Sequence, residues 1–291
     1  CENSRNDELI EVKKMTLKKG LAAMILATAA LAACGSDEKE EVVEQVEQVE
    51  EEQIDLTEEV EQFRAFAIEQ MEPFVADLEL LVRYVKEGKL EEAQKLYPLV
   101  HMYYERLQPM KASFAELDAT IDSSIEEGKE DEATGFAKLE YGLFNEKTTT
   151  GYEVVVEELF TNVQQLSMEV ESVHLDGQQL VNDAVSMLDR VATTQLTDEE
   201  TSYAFSHIYD VKANTEAVEE IVKIFMSRAD TQKAANVTEK LAVLNDTIAY
   251  YEVGKEDYVN YSYFTSKQKE ELIAAISDVR DALKEMNSSL K

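Results

Sequence analysis

From residue 57 onward, apolar side chains return every three or four positions, the period of a helix with one buried face. Val60, Phe63, Ala67, Phe74, Leu78, Leu81 and Val85 share one stripe, and Gly88 after Lys86-Glu87 reads as a C-cap. Pro73 falls inside this run and is expected to kink or divide it. The same periodicity predicts helices over Leu90–Leu117, with Pro98 and Pro109 inside it or at its turns, and over Glu132–Phe144 and Tyr152–Val170. It continues over 177–194, 198–227, 231–253 and 266–287. Thr197-x-x-Glu200 and Thr265-x-x-Gln268 have the spacing of capping boxes, and Gly254 marks the end of the penultimate helix. Leu272, Ile273, Ile276, Val279, Leu283 and Met286 form the last apolar stripe. No alternation of period two runs long enough to predict a strand. The expected fold is all-α: an antiparallel helical bundle, as two four-helix halves side by side at about 57–172 and 173–291.

Composition agrees. Only 9 Gly and 3 Pro interrupt 291 residues, and 44% of the residues are hydrophobic, enough for a core. The formal net charge of -33 repels a phosphate backbone and argues against nucleic-acid binding.

The first 56 residues have a different character. Met15 opens a segment with Lys18 and Lys19, then an apolar stretch from Gly20 to Ala30, then Leu31-Ala32-Ala33-Cys34. The apolar stretch is too short to span a bilayer, which favours a signal peptide over 15–33. The closing tetrapeptide resembles the bacterial lipobox, in which the cysteine is acylated and becomes the new N-terminus. Cys34 is therefore the expected lipidation site, and acyl chains would hold the protein to the outer side of the cytoplasmic membrane. Residues 1–14 precede this signal without an initiator Met at position 1, and translation is expected to begin at Met15. Processing would leave Cys34 as the only cysteine and exclude disulfides and cysteine metal sites. Residues 34–56 carry the repetitive acidic run VEQ-VEQ-VEE, whose charges repel and extend it as a linker.

Candidate chemistry is sparse. No phosphate loop, nucleophile elbow or zincin motif occurs. His101 and Glu105 stand at i and i+4, a spacing that suits one metal ion or an ordinary surface hydrogen bond. Glu105 and Glu140 are flanked by aromatic and apolar residues, where a carboxylate is costly unless paired or bound to a cation, unless both simply face solvent. His207 and Asp210 are a second possible pair, and His174 lies in a stretch expected to be exposed. Tyrosines 250, 251, 258, 261 and 263 surround the last inter-helix loop, either to stack on a sugar or to pack that loop.

Several blocks carry a family resemblance. Tyr97-Pro98 and Tyr104-Glu105-Arg106-Leu107-Gln108-Pro109 resemble the YP…YERIEP stretch of EfeO/EfeM-type iron-uptake lipoproteins, members of the imelysin-like peptidase family. Ser113-Phe114 and Leu117-Asp118 continue that match. Gly135–Phe144 is similar to its GFHRIEYALW block, and Asp210–Asn214 to its WDFQANVEGA segment. Tyr258–Tyr261 and the last helix resemble its C-terminal block, so the likeness spans about 57–288. It implies an extracytoplasmic protein that captures iron, or a Cu-, Zn- or Ca-like cation, for a permease beside a haem peroxidase.

The sequence departs from the family where it matters. The histidine of the family's H-x-x-E motif is Ala137, the second glutamate of YERIEP is Gln108, and a later family histidine aligns with Phe205, two positions before His207. The ligand candidates that the resemblance leaves are Glu105, Glu140 and His207, with cation affinity expected to be reduced, altered or absent. The alternatives are a metal-free interaction or structural lipoprotein, and carbohydrate binding by the tyrosine cluster. Peptidase activity has no support, because neither a poised nucleophile nor an intact metal-water site is present.

Overall fold

The computed structural model describes residues 54–123, 129–197 and 202–291, the side chain of residue 131 excepted. The expected signal peptide, Cys34 and the acidic run before residue 54 lie outside the described residues. Glu52–Lys291 is one compact unit.

Nine α-helices occur among the described residues: α1 Thr57–Lys86, α2 Leu90–Glu105, α3 Ala115–Ile121, α4 Gly135–Glu140, α5 Glu153–Val170, α6 Gly177–Thr193, α7 His207–Phe225, α8 Thr231–Ala249 and α9 Ser266–Asn287. Helix α1 packs against α2 and α5, with the short α3 and α4 also against α5. Helix α9 packs against α6 and α8. Helix α7 lies against α1 and α2 as well as α6 and α8, and the buried apolar side chains run through all of them as one core.

The apolar stripe of α1 is buried as its spacing requires, from Val60 to Val85. Pro73 lies within α1 without dividing it. Gly88 takes φ +74 and lets Lys89 N–H return to Tyr84 O at 2.9 Å, closing the helix end. At Thr265 both bonds of the capping box form, with Gln268 N–H donating to Thr265 Oγ1 at 3.3 Å and Thr265 N–H to Gln268 Oε1 at 2.9 Å.

Four boundaries differ from the sequence reading. The helix expected over Leu90–Leu117 stops at Glu105, because Pro109 has no N–H for the Glu105 carbonyl and disfavours helical backbone at Gln108. A 3₁₀ turn over Gln108–Phe114 then leads into α3. The helix expected over Glu132–Phe144 is α4 followed by a π turn, Tyr141–Glu146. The helix expected from residue 198 begins at His207; Glu200 of the expected capping box lies outside the described residues, and the Thr197 hydroxyl donates back to Thr193 O at 2.7 Å. Helix α8 ends at Ala249, and Gly254 sits in a two-stranded hairpin, β1 Glu252–Gly254 with β2 Asp257–Tyr258.

One glycine positions the site. Gly135 begins α4 at φ +58 and pairs with Asp122 across an isolated bridge. A Cβ there would stand 1.9 Å from Ile121 O, so only glycine allows α4 to start against the end of α3.

Candidate metal centre

The break after Glu105 decides where the chemistry gathers. It turns the chain so that α3 returns beside α2, and Asp122 at the end of α3 comes to face His101. Helix α7 approaches from the other side with Asp210 in its first turn. A cleft of about 650 Å³, its open mouth included, lies among these elements. His101, Asp122, Ala137, Glu140, His207 and Asp210 are on its wall.

The two nitrogens of His101 face different partners. Nδ1 lies 2.8 Å from Asp210 Oδ1. Nε2 lies 3.7 Å from Glu105 Oε1 and 3.6 Å from Asp122 Oδ2. These two separations exceed a hydrogen bond, and among the described residues the buried Nε2 has no hydrogen-bond partner. Ligand atoms of His101, Glu105 and Asp122 all lie within 4.8 Å of one another. Two ligands about 2.1 Å from a tetrahedral ion stand about 3.4 Å apart, so the three groups are spaced much as ligands of one ion would be. Asp210 occupies the place of the carboxylate that commonly holds a metal-binding imidazole through its other nitrogen.

Glu105 is not on the cleft wall and is only 1% exposed. Asn214 Nδ2 donates to its Oε2 at 2.8 Å and Gln108 Nε2 to its Oε1 at 3.3 Å. Burial raises its pKa to about 7, against the attraction of His101. Burial would lower the pKa of His101, but Asp210 and Asp122 outweigh it and hold the ring well above the ordinary histidine value. Asp210 and Asp122 thus favour the charged form of the ring, while burial favours the neutral form of Glu105.

His101, Glu105 and Asp210 converge, and the His101–Glu105 pair is buried rather than a surface contact. Glu140 and His207 share the same cleft wall. Glu140 Oε1, however, accepts three hydrogen bonds from the loop before α7: Ser202 Oγ at 2.9 Å, Tyr203 N–H at 3.0 Å and Ala204 N–H at 2.8 Å. The His207 ring stacks on Tyr261 with centroids 4.3 Å apart. His174 is exposed. Of the tyrosine cluster, Tyr251, Tyr258 and Tyr261 are buried in packing the last loop, and Tyr250 and Tyr263 remain outside.

Asp122 escaped the sequence reading. It follows the last residue of α3, whereas Glu105 ends α2 with a proline-bearing turn between, so no helical spacing links the two. The sequence also suggested that an imidazole was lost with the H-x-x-E histidine. An imidazole is present, delivered from α2 by His101 instead of from α4 by residue 137, and both positions face the same cleft.

The family described as Imelysin matches residues 59–288. The chain is 26% identical over 244 residues to "Iron uptake system component EfeM" of Pseudomonas syringae pv. syringae, covering 81% of this chain and 86% of that protein. It is 26% identical over 283 residues to an "Efem/EfeO family lipoprotein" of Staphylococcus haemolyticus, covering 93% of this chain and 98% of the relative. It is 25% identical over 235 residues to "Iron uptake system component EfeO" of Escherichia coli O1:K1, covering 78% of this chain and 62% of that longer protein. From the first turn of α1 to the end of α9, this chain belongs to the imelysin family.

Proposed function

We propose that this protein is a lipid-anchored, extracytoplasmic component of an iron-uptake system that binds its cation through His101 Nε2, Glu105 and Asp122. Asp210 orients the imidazole. The observation that carries this reading is the buried Nε2, 3.7 Å from one carboxylate and 3.6 Å from another, with its ring fixed from behind at 2.8 Å. Imidazole with carboxylates suits iron, copper or zinc, and the iron-uptake names of the relatives favour iron. The role is capture and delivery rather than catalysis. A membrane permease would receive the ion, with a haem peroxidase beside it, and the acidic surface would concentrate cations near the site. Acylation at Cys34 would keep the domain at the membrane.

Calorimetric titration of the full chain, purified in detergent, tests this with anaerobic Fe(II), Cu(II) and Zn(II). One ion should bind per chain, and Asp122→Ala or His101→Ala should weaken it by about a hundredfold, roughly 3 kcal/mol. Binding that survives both substitutions would move the site elsewhere. If no ion binds the folded protein, a metal-free scaffold is the correct reading.

A further inference from the structure

Glu140 is the glutamate that the family motif would offer as a ligand, yet its surroundings give it another occupation. Its Oε1 gathers the Ser202 hydroxyl and the Tyr203 and Ala204 amides within 3.0 Å. Those donors belong to the segment that turns directly into α7. The far side of the same segment is held as well: Asn260 Nδ2 donates to Ala204 O at 3.2 Å, and Tyr261 N–H donates to Phe205 O at 3.0 Å. Between the two grips Phe205 adopts φ +53, a conformation that a free non-glycine residue rarely takes and that surrounding contacts must impose. Helix α7 begins two residues later and carries Asp210, whose Oδ1 fixes His101 Nδ1 at 2.8 Å.

We infer that Glu140 is a positioning residue: its carboxylate clamps the 202–205 segment and so sets the start of α7, through which Asp210 aims His101 at the cation. The inference rests on the proposed cation site but assigns Glu140 no bond to the ion. Three donors on one oxygen are what a clamp requires. A glutamine side chain can present a carbonyl oxygen to the same three donors, whereas a metal ligand would lose its anionic oxygen in that exchange.

The test compares Glu140→Gln and Glu140→Ala in the full chain, reading Fe(II) affinity under anaerobic conditions and hydrogen exchange at the Tyr203 and Ala204 amides. Glu140→Gln should stay within tenfold of the parent affinity and keep both amides protected. Glu140→Ala should lose at least tenfold in protection at both amides and at least tenfold in affinity. If the alanine variant fails to fold, Ser202→Ala takes its place, with a loss of protection of about threefold expected. A loss of more than a hundredfold in Glu140→Gln, with amide protection retained, would make the carboxylate a ligand and overturn the assignment. Unchanged protection in the alanine variant would overturn the clamp. A parent protein that binds no Fe(II) would sink the cation site alone, leaving hydrogen exchange to decide whether Glu140 holds the segment.

Discussion

His101 divides its work between two nitrogens, and that division has a pH consequence. Asp210 and Asp122 raise the pKa of the ring well above 6.5, while burial raises Glu105 and Glu140 to about 7 from 4.5. A carboxyl with a raised folded pKa binds its proton better folded than unfolded. Its contribution is full below about 4.5 and is lost as pH climbs to about 7. A histidine with a raised folded pKa behaves with the same sign, stabilising below 6.5 and losing that contribution as pH passes its folded value. For each of the two carboxyls the linkage is worth about 3 kcal/mol at its limit. Thermal melts in a chelator should therefore show a midpoint that falls between about pH 5 and pH 8. Repulsion within a chain of net charge -33 adds to that fall, so the share of the site is the part that added cation removes. Added Fe(II) should stabilise more at pH 7.5 than at pH 5.5, because the ion replaces protons. A midpoint that rises with pH in the chelator would contradict this assignment of charges.

At the scale of elements, the long helices were legible because each has an apolar stripe wide enough to override local interruptions. Pro73 and Pro98 sit inside α1 and α2, where tertiary packing carries the helix past one missing hydrogen bond. The elements that build the site were not legible. Helix α4 has six residues and runs into a π turn, and the segment before α7 is shaped by Glu140 and Tyr261 rather than by its own sequence. The joint between α3 and α4 depends on Gly135. Gly135→Ala would force a Cβ onto the Ile121 carbonyl and strain a positive φ, so denaturant unfolding should show a loss of about 3 kcal/mol or more. Cation affinity should fall with it, because Asp122 is the residue bridged to Gly135. An alanine variant as stable as the parent would mean that the joint is softer than its geometry implies.

Across the whole described unit, periodicity foresaw an all-α molecule but could not foresee which helices meet. His101 and Glu105 were visible as a pair because they share a helix face; Asp122 and Asp210 join them from α3 and α7 only through long-range packing. The missing motif histidine at position 137 points to a weakened site, and His101 brings an imidazole to the same cleft from another helix. The central claim is that this imidazole and two carboxylates hold one cation. An anomalous-difference map at the iron edge, from crystals of the protein grown anaerobically with Fe(II), reads that directly. The account predicts one strong peak about 2.0–2.3 Å from His101 Nε2 and from oxygens of Glu105 and Asp122, with Asp210 still on Nδ1. A peak at any other group of side chains, with His101 Nε2 left bare, would contradict it.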